Sequence, residues 1–152
     1  MVRGRAPMRP LLIGEAPGGP RTQVPPPLRQ ALTGAFGMRV SSMAHVPFFT
    51  YLRRTDRINL VPRHIGEDGW PAEEARTAAA MIDLRDRHVL LFGTKVSAAF
   101  GVEQLPLYEW IYLRGGLVAR VPHPSGRNRN LNDPSERRRM GTFVRGVILG
   151  RL

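Results

Sequence analysis

The sequence contains no cysteine and no long apolar run, and these two absences exclude several classes of protein. Without cysteine the chain can form no disulfide, thiol nucleophile, cysteine zinc site or iron–sulfur cluster. The four histidines have no metal-ligand spacing, so we expect neither a metal nor a cofactor; they are His45, His64, His88 and His123. No segment reaches the length of a signal-peptide core or a membrane span. We therefore expect a soluble, cytoplasmic protein with no membrane partner.

Lysine and acidic residues are scarce, whereas arginine is abundant. The 152 residues include 23 Lys+Arg and 12 Asp+Glu, which gives a formal net charge of +11. Lys95 is the single lysine, so arginine supplies nearly all of the positive charge, as a GC-rich coding sequence also favours. A surface of this sign attracts polyanions, and we expect DNA as the partner. The length and the 42% apolar content fit one folded domain over residues 1–152, which we expect to be a monomer.

Short aliphatic runs bounded by glycine or proline alternate with helical patterns along the chain. Such runs are typical of strands buried on both faces, and they occur at residues 11–13, 58–61, 88–93 and 117–121. Helical spacing and end signals predict helices at residues 28–32, closing near Gly34 or Gly37, at 71–85, at 94–101 and from 132 or 133 onward. The segment between the first helix and the second strand is expected to be a loop.

Local signals add detail to this α/β pattern. Thr94 is placed to cap the third helix, and Asn132 or Asp133 to cap the last one, with Pro134 at its first position. The Gly115–Gly116 pair either forms a hairpin or leads into the last strand. The alternation predicts a three-layer α/β/α sandwich with a short, mostly parallel central sheet. Its ligand crevice should lie beyond the carboxyl ends of the strands.

Two unusual turns follow predicted strands. The first, residues 14–18 (GEAPG), offers backbone N–H groups and a carboxylate where glycine permits a close approach, although an ordinary strand-to-helix turn has the same features. The second, residues 123–129 (HPSGRNR), places an imidazole, a hydroxyl, an amide and two guanidiniums within seven positions. That density is unusual for a passive loop.

Together the two turns resemble the signature motifs of the uracil-DNA glycosylase superfamily, GEAPG after the first strand and an HPSxxN motif after the last. The resemblance extends to residues 58–61, similar to the base-reading strand, and to residues 90–101. GEAPG resembles the iron–sulfur class, whose four cluster cysteines are absent here, and HPSGRN resembles relatives with HPSPRN. The resemblance implies the superfamily's α/β/α fold. It also implies a monofunctional DNA glycosylase that flips out a pyrimidine nucleotide and hydrolyses its N-glycosidic bond, leaving an abasic site.

The resemblance implies a role for each residue of the catalytic cradle. His123 would donate a hydrogen bond to the base oxygen as negative charge develops there. Glu15 would position or deprotonate the attacking water, or stabilise the sugar cation. Asn59 would read the base edge, because its amide offers a donor and an acceptor and can face uracil or cytosine. The remaining base-binding positions are Gly14, Ala16 and Gly18.

Each of these roles has a structural alternative. His123 is alternatively a structural histidine, Asn59 a strand-end amide that satisfies local backbone, and Glu15 a carboxylate at a helix start. Phe48, Phe49 and Tyr51 either stack on the base or pack in the core, which is the commoner fate of such residues. His64 is expected at the surface, and nothing around Lys95 indicates a Schiff-base role.

The second turn also supplies the predicted DNA contacts. Arg127 would fill the gap left by the flipped nucleotide, and Ser125 would bind a phosphate. The rest of this DNA-binding loop is formed by Gly126, Asn128 and Arg129. The alternative is a solvated basic face, which we favour for Arg137, Arg138 and Arg139.

The identity of the base depends on the residues that follow the first turn. Gly18 and Gly19 replace bulk at the place where relatives screen the pyrimidine 5-position, and the stacking aromatic of the family falls at Val24 or a neighbouring proline. We therefore expect a roomy pocket for uracil or a 5-substituted pyrimidine, such as glucosylated 5-hydroxymethylcytosine of phage DNA, in repair or in anti-phage defence. The alternatives are a catalytically idle DNA-binding module that recognises damaged or modified bases, and a small nucleotide pocket without a DNA partner.

Overall fold

A central sheet of five strands organises the residues described by the computed structural model, which are 8–17, 31–67, 69–125 and 129–152. The strands are β1 (Leu11–Gly14), β2 (Asp56–Asn59), β3 (His88–Phe92), β4 (Ile111–Leu113) and β5 (Gly116–Val121). Their order is β2-β1-β3-β5-β4. All neighbours are parallel except β4 and β5, which form an antiparallel hairpin. The predicted mostly parallel sheet is confirmed, and the glycine pair forms the hairpin.

Helices cover both faces of the sheet. They are α1 (Ala35–Met43), α2 (Phe48–Arg54), α3 (Ala72–Met81), α4 (Thr94–Ala99) and α5 (Pro134–Leu149). A short 3-10 helix, Arg129–Asn132, precedes α5. The predicted start of α5 is confirmed: Asp133 is its N-cap and accepts a hydrogen bond from the backbone N–H of Ser135, and Pro134 is its first residue.

Alternate residues of each central strand divide the core into two halves. Leu12, Leu90 and Phe92 point to the α1, α2 and α5 side, where they pack with residues such as Val40 and Met140. Leu11, Ile13, Val89 and Leu91 belong to the other half, together with residues of α3 and α4. Since both faces of the sheet are covered, its strands are continuous aliphatic runs rather than alternating ones. The expected layering of helix, sheet and helix is therefore present.

The segment before β2 differs most from the prediction. Of the predicted helix 28–32, residues 28–30 lie outside the described part, and Ala31 and Leu32 form a turn. Gly37 lies buried inside α1 instead of closing a helix, and α1 and α2 fill the expected loop. Neither helix has a side-chain cap or an acidic first turn, so the signals that mark a helix start are absent there.

The ends of three other elements are also shifted. β2 runs from Asp56 to Asn59 instead of the predicted 58–61. It includes Arg57, a charged residue that an apolar pattern leaves out although it is only 1% exposed. The predicted helix 71–85 ends at Met81, and Ile82 is already extended. Thr94 is the first helical residue of α4 rather than its cap, since Gly93 holds the cap position without a side-chain bond.

Candidate functional site

Three predicted site residues lie at the carboxyl edge of the sheet. Glu15 follows β1, Asn59 ends β2, and His123 comes two residues after β5. Nε2 of His123 lies 3.4 Å from Oε1 of Glu15. Gly14 and Asn59 are partners in the β1–β2 register, which places Asn59 beside Glu15. The sheet topology thus brings together residues that are more than 100 positions apart in sequence.

The backbone of the first turn is fixed by the segment that follows β2. The backbone N–H groups of Leu60 and Val61 donate to the carbonyl oxygens of Gly14 and Glu15, each at 2.9 Å. These bonds extend the parallel ladder past the end of both strands. Glu15 is consequently held on a defined backbone, and its partly buried carboxylate faces His123.

Ala16 and Pro17 connect this turn to the opposite helix layer. Ala16 packs partly buried against the core half formed by α3 and α4. Pro17 is buried, and Nδ1 of His64 lies 3.3 Å from its carbonyl oxygen. His64 is therefore half-buried against the first turn, which differs from the expected surface histidine.

The imidazole of His123 is partly enclosed. Its side chain is 33% exposed, and the edge of Phe36 meets its ring at a centroid distance of 5.7 Å. Burial lowers the pKa of His123 below the ordinary value of 6.5, the Glu15 carboxylate opposes this shift, and the positive charges of Lys95 and Arg39 reinforce it. The net direction is downward, so the ring is neutral at neutral pH.

Asn59 carries an unsatisfied acceptor. Its Oδ1 atom is buried and has no hydrogen-bond partner in the described part of the chain. A buried carbonyl without a donor is costly in free energy and is uncommon in folded proteins. The acceptor therefore lies where a donor from a ligand would complete it.

Gly14 and Leu32 form the surroundings of that acceptor. A Cβ at Gly14 would lie 2.5 Å from Cδ2 of Leu32 and 3.3 Å from Oδ1 of Asn59, so a larger residue at this position would displace the Leu32 side chain. Leu32 has a left-handed backbone with φ of 57°, which is rare for a bulky residue. The Tyr51 hydroxyl donates to its carbonyl oxygen at 2.8 Å and stabilises this conformation.

Sequence reasoning missed four residues around the cradle. Phe36 and Arg39 lie on α1, a helix that no local signal predicted. Leu32 was predicted to end a helix, and nothing in the sequence placed it at the site. Lys95 is the second residue of α4, and its Nζ lies 5.7 Å from the ring centroid of Trp70. Its position just after the carboxyl end of β3 was a usable signal, because ligands bind beyond such ends.

The aromatic residues before β2 belong to helix α2 and to the core. Tyr51 is fully buried, and Phe48 stacks on it at a centroid distance of 5.8 Å. Phe49 is exposed, with the Arg53 guanidinium over its ring. The core alternative is confirmed for Tyr51 and Phe48.

Several predicted residues lie outside the described part of the chain. They are Gly18, Gly19, Val24, Gly126, Arg127 and Asn128. Arg129 belongs to the 3-10 helix through its backbone, and nothing is stated of its side chain. The expected room beside the pyrimidine 5-position stays a prediction. So does the role of Arg127 as a wedge, the side chain that fills the gap left by the flipped nucleotide. Arg137, Arg138 and Arg139 are exposed on α5, as a solvated basic face requires.

Ser125 lies next to a cavity on the α5 side of His123. Pro124, which precedes it, is buried, and Ser125 itself is partly exposed. Both line a cavity of about 490 Å³ between α1 and the start of α5. We call this space the α1/α5 cavity; its other lining residues are Met38, Arg39, Ser42, Met43, Leu131, Asn132 and Arg137.

The described residues include neither a metal-binding cluster nor a membrane-spanning helix. No group of three or more histidine and acidic side chains in the described ranges could hold a metal ion. Within the same ranges, no helix has both the length and the apolar character needed to cross a membrane. No protein-family model matches the chain, and no curated protein matches it.

Proposed function

We propose that the protein is a monofunctional DNA glycosylase, similar in fold and chemistry to the uracil-DNA glycosylase superfamily. It would flip a pyrimidine nucleotide from DNA in the cytoplasm and hydrolyse the N-glycosidic bond to leave an abasic site. One observation carries the proposal: Glu15 and His123 are in contact at the carboxyl edge of the sheet, and Asn59 ends the strand beside Glu15 with a buried acceptor that has no partner among the described residues.

Asn59 suits the recognition of a pyrimidine edge. With uracil, its Oδ1 accepts from the ring N3–H while Nδ2 donates to the carbonyl at position 4. With cytosine, Oδ1 accepts from the exocyclic amine and Nδ2 donates to N3. Either base supplies the donor that Oδ1 lacks in the described part of the chain. Binding of the base thus removes an energetic penalty that the unliganded protein carries.

His123 suits stabilisation of the leaving base. A neutral imidazole donates a hydrogen bond from Nε2 and retains its proton, and the lowered pKa keeps the ring neutral. In the unliganded protein this nitrogen faces Glu15 at 3.4 Å. Entry of the base gives it the pyrimidine oxygen at position 2 as its acceptor. That hydrogen bond strengthens as the glycosidic electrons move into the ring, so it favours the transition state.

Glu15 suits stabilisation of the sugar and activation of the attacking water. As the C1′–N1 bond breaks, its electron pair goes to the base, and C1′ gains positive character that the carboxylate stabilises. The oxygen of water then forms the new bond to C1′, and its proton passes to Glu15 and on to the released base. The products are the free pyrimidine and an abasic site, with no cofactor consumed.

The charge of the chain favours DNA as the partner. A net charge of +11 attracts the phosphate backbone, and Arg137 of α5 lines the same cavity as Ser125. Ser125 as a phosphate contact and Arg127 as the wedge complete the proposed interface. A small nucleotide pocket without a DNA partner accounts for the cradle but not for this charge.

The test is base release from defined oligonucleotides. Substrates carry uracil, 5-hydroxymethyluracil, or 5-hydroxymethylcytosine with and without glucose, and alkali-cleavable abasic sites are measured. We expect release by the natural protein and a loss of about a hundredfold or more in His123→Ala, the usual effect of removing one transition-state donor. His45→Ala, an exposed histidine between α1 and α2, is the matched control and should retain full activity.

The substrate pattern separates the remaining alternatives. Release of uracil alone would indicate a small repair enzyme and contradict the roomy pocket. Release of the bulky bases alone would indicate a defence enzyme. Tight binding without release from any substrate would contradict the glycosylase proposal in favour of an idle recognition module.

A further inference from the structure

The α1/α5 cavity has the size of a small-ligand site. Its volume of about 490 Å³ lies in the range found for pockets that enclose small molecules. Its walls come from one face of α1 on one side, and from the 3-10 helix and α5 on the other. It is separate from the Glu15–His123 contact, which is not part of its lining.

The apolar part of the lining suits a flat, polarisable group. Met38 lines the cavity and is 54% exposed, so its thioether is accessible to a ligand there. Met43, Pro124 and Leu131 extend the same surface. Thioethers adapt to irregular surfaces and make favourable contacts with aromatic rings, and a nucleobase presents such a ring.

The polar part of the lining suits an anion. Arg39 and Arg137 line the cavity, no acidic residue does, and neither arginine pairs with a carboxylate in the described part of the chain. Nε of Arg137 donates to the carbonyl oxygen of Leu131 at 3.1 Å, which orients its guanidinium plane. Oriented arginines bind phosphate through paired donors.

The cavity lies directly beside the cradle. Pro124 and Ser125 line it and follow His123 in the chain. Arg39 also lies close enough for its charge to lower the pKa of His123. A strand whose target nucleotide occupies the cradle would therefore have a neighbouring nucleotide at the cavity.

We propose that the α1/α5 cavity binds one nucleotide flanking the excised one, with its base on the methionine surface and its phosphate on Arg39 and Arg137. This inference rests on the proposed function. A nucleotide fits better than a simple anion because the lining combines an apolar surface, two arginines, two hydroxyls and an amide. The protein would then read the context of the lesion as well as the lesion itself.

The first experiment measures binding to oligonucleotides that carry a non-cleavable abasic analogue at the target position. A second abasic analogue replaces each flanking base in turn. We expect one flanking position at which base removal weakens binding about fivefold or more, because stacking on a protein surface contributes this much per base. In Met38→Ser, removal of the same base should change affinity less than twofold. The substitution already removes the contact between the Met38 side chain and that base, so removing the base has little further effect.

Met81→Ser is the matched control. Met81 is 82% exposed at the end of α3, on the opposite face of the sheet. This variant should retain the full sensitivity to the flanking base. If the effects of Met38→Ser and of base removal are instead additive at every position, the proposal is overturned.

A second experiment does not depend on catalysis or on the cradle. The protein is labelled at its methionine methyl groups, and deoxynucleoside monophosphates are added. The NMR signals of the methionine methyl groups are then followed. Shifts confined to Met38 and Met43 would support the cavity even if no base is ever released, and would show that free nucleotides also occupy it. Unmoved Met38 and Met43 signals with both mononucleotides and oligonucleotides would overturn the proposal, even if glycosylase activity were established.

Discussion

At the scale of single residues, the protonation of His123 is set by a balance of neighbouring charges. Burial, Lys95 and Arg39 lower its pKa, and Glu15 raises it. Because the unfolded chain binds the proton at about pH 6.5 and the folded protein only below that, the free energy of unfolding should decrease as the pH falls from 6.5. Base release should decrease over the same range, because protonation converts the neutral His123 ring, which is the proposed donor to the base, into an imidazolium.

The first prediction concerns Lys95. Lys95→Gln removes a positive charge that disfavours the imidazolium, so the pKa of His123 should rise and the acid limb of the pH profile should move to higher pH. The pKa is measured directly by NMR titration of the His123 ring. Lys95→Arg retains the charge and serves as the control. An equal shift in both variants would mean that packing, not charge, links the two residues.

The second prediction concerns Asn59. Asn59→Ala removes a buried oxygen that has no hydrogen-bond partner among the described residues, so the free energy of unfolding should stay the same or increase by about 1 kcal/mol, whereas base release should be lost. Urea denaturation and the release assay measure the two effects. Asn59→Asp places a charge at the same site and should destabilise the fold. A clear loss of stability in Asn59→Ala would show that the oxygen has a partner.

At the scale of elements, helix α2 positions Leu32 beside the cradle. Burial raises the pKa of the Tyr51 phenol, which therefore remains a donor to the Leu32 carbonyl at 2.8 Å. The buried Arg57 donates to the neighbouring carbonyl of Ala31 at 3.0 Å. Two side chains thus fix the turn whose leucine lies against Gly14.

The third prediction tests this link. Tyr51→Phe preserves the ring but leaves the Leu32 carbonyl without its donor, and should cost about 1 kcal/mol of unfolding free energy. Denaturant unfolding measures the loss. Tyr112→Phe, an exposed tyrosine on β4, is the control and should change nothing. Equal stabilities of Tyr51→Phe and the natural protein would show that the hydroxyl does not hold the turn.

The fourth prediction concerns the crossing of α1 and α5. A Cβ at Gly141 of α5 would collide with the carbonyl oxygen of Met43 at the end of α1, so the helices approach closely only with glycine there. Gly141→Ala should destabilise the protein by about 2–3 kcal/mol despite its better helix propensity. Thermal unfolding measures the change. Gly146→Ala, in the same helix near the chain end, should be close to neutral, because the facing Arg151 carbonyl can yield.

The elements that sequence analysis predicted are those with local signals. β1 and β3 are aliphatic runs between breakers, and α5 starts with a cap and a proline. β2 was shifted because Arg57 is buried in it through tertiary hydrogen bonds, which no local pattern contains. α1 and α2 were missed because their starts lack capping residues, and packing on the sheet stabilises them instead.

The same distinction applies to the candidate site. Glu15, Asn59 and His123 were predicted from the resemblance of the two turns and of residues 58–61 to the superfamily's motifs. Each of the three lies at or just after the end of a strand, and parallel strands end at one edge of the sheet. Leu32, Phe36 and Arg39 reach that edge from a turn and a helix whose placement depends on long-range packing. Sequence therefore identified the residues proposed for chemistry and missed those that surround them.

At the scale of the whole molecule, the arginine–carboxylate ion pairs of the described residues lie away from the proposed DNA surface. The pairs between arginine and a carboxylate involve α3 and the turns around it or the amino ends of the strands: Arg63–Glu74, Arg76–Glu73, Arg85–Asp83, Arg87–Asp56 and Arg9–Asp56. The Glu15–His123 pair is the one described pair at the carboxyl edge. Arg138 of α5 and Arg39 of α1 pair with no carboxylate in the described ranges. On the α1 and α5 side, these two arginines thus carry positive charge that no ion pair in the described ranges neutralises.

This asymmetry gives the fifth prediction, on the salt dependence of DNA binding. If Arg138 contacts a phosphate, Arg138→Gln should weaken binding to all sequences alike and reduce the slope of log affinity against log salt by about one. Affinity for an oligonucleotide with an abasic analogue is measured over a range of salt concentrations. Arg76→Gln, on α3 and paired with Glu73, should leave the slope unchanged. Equal changes in both variants would mean that the charge acts as a diffuse field over the whole molecule, whereas a change in Arg138→Gln alone would place the DNA on the α5 side.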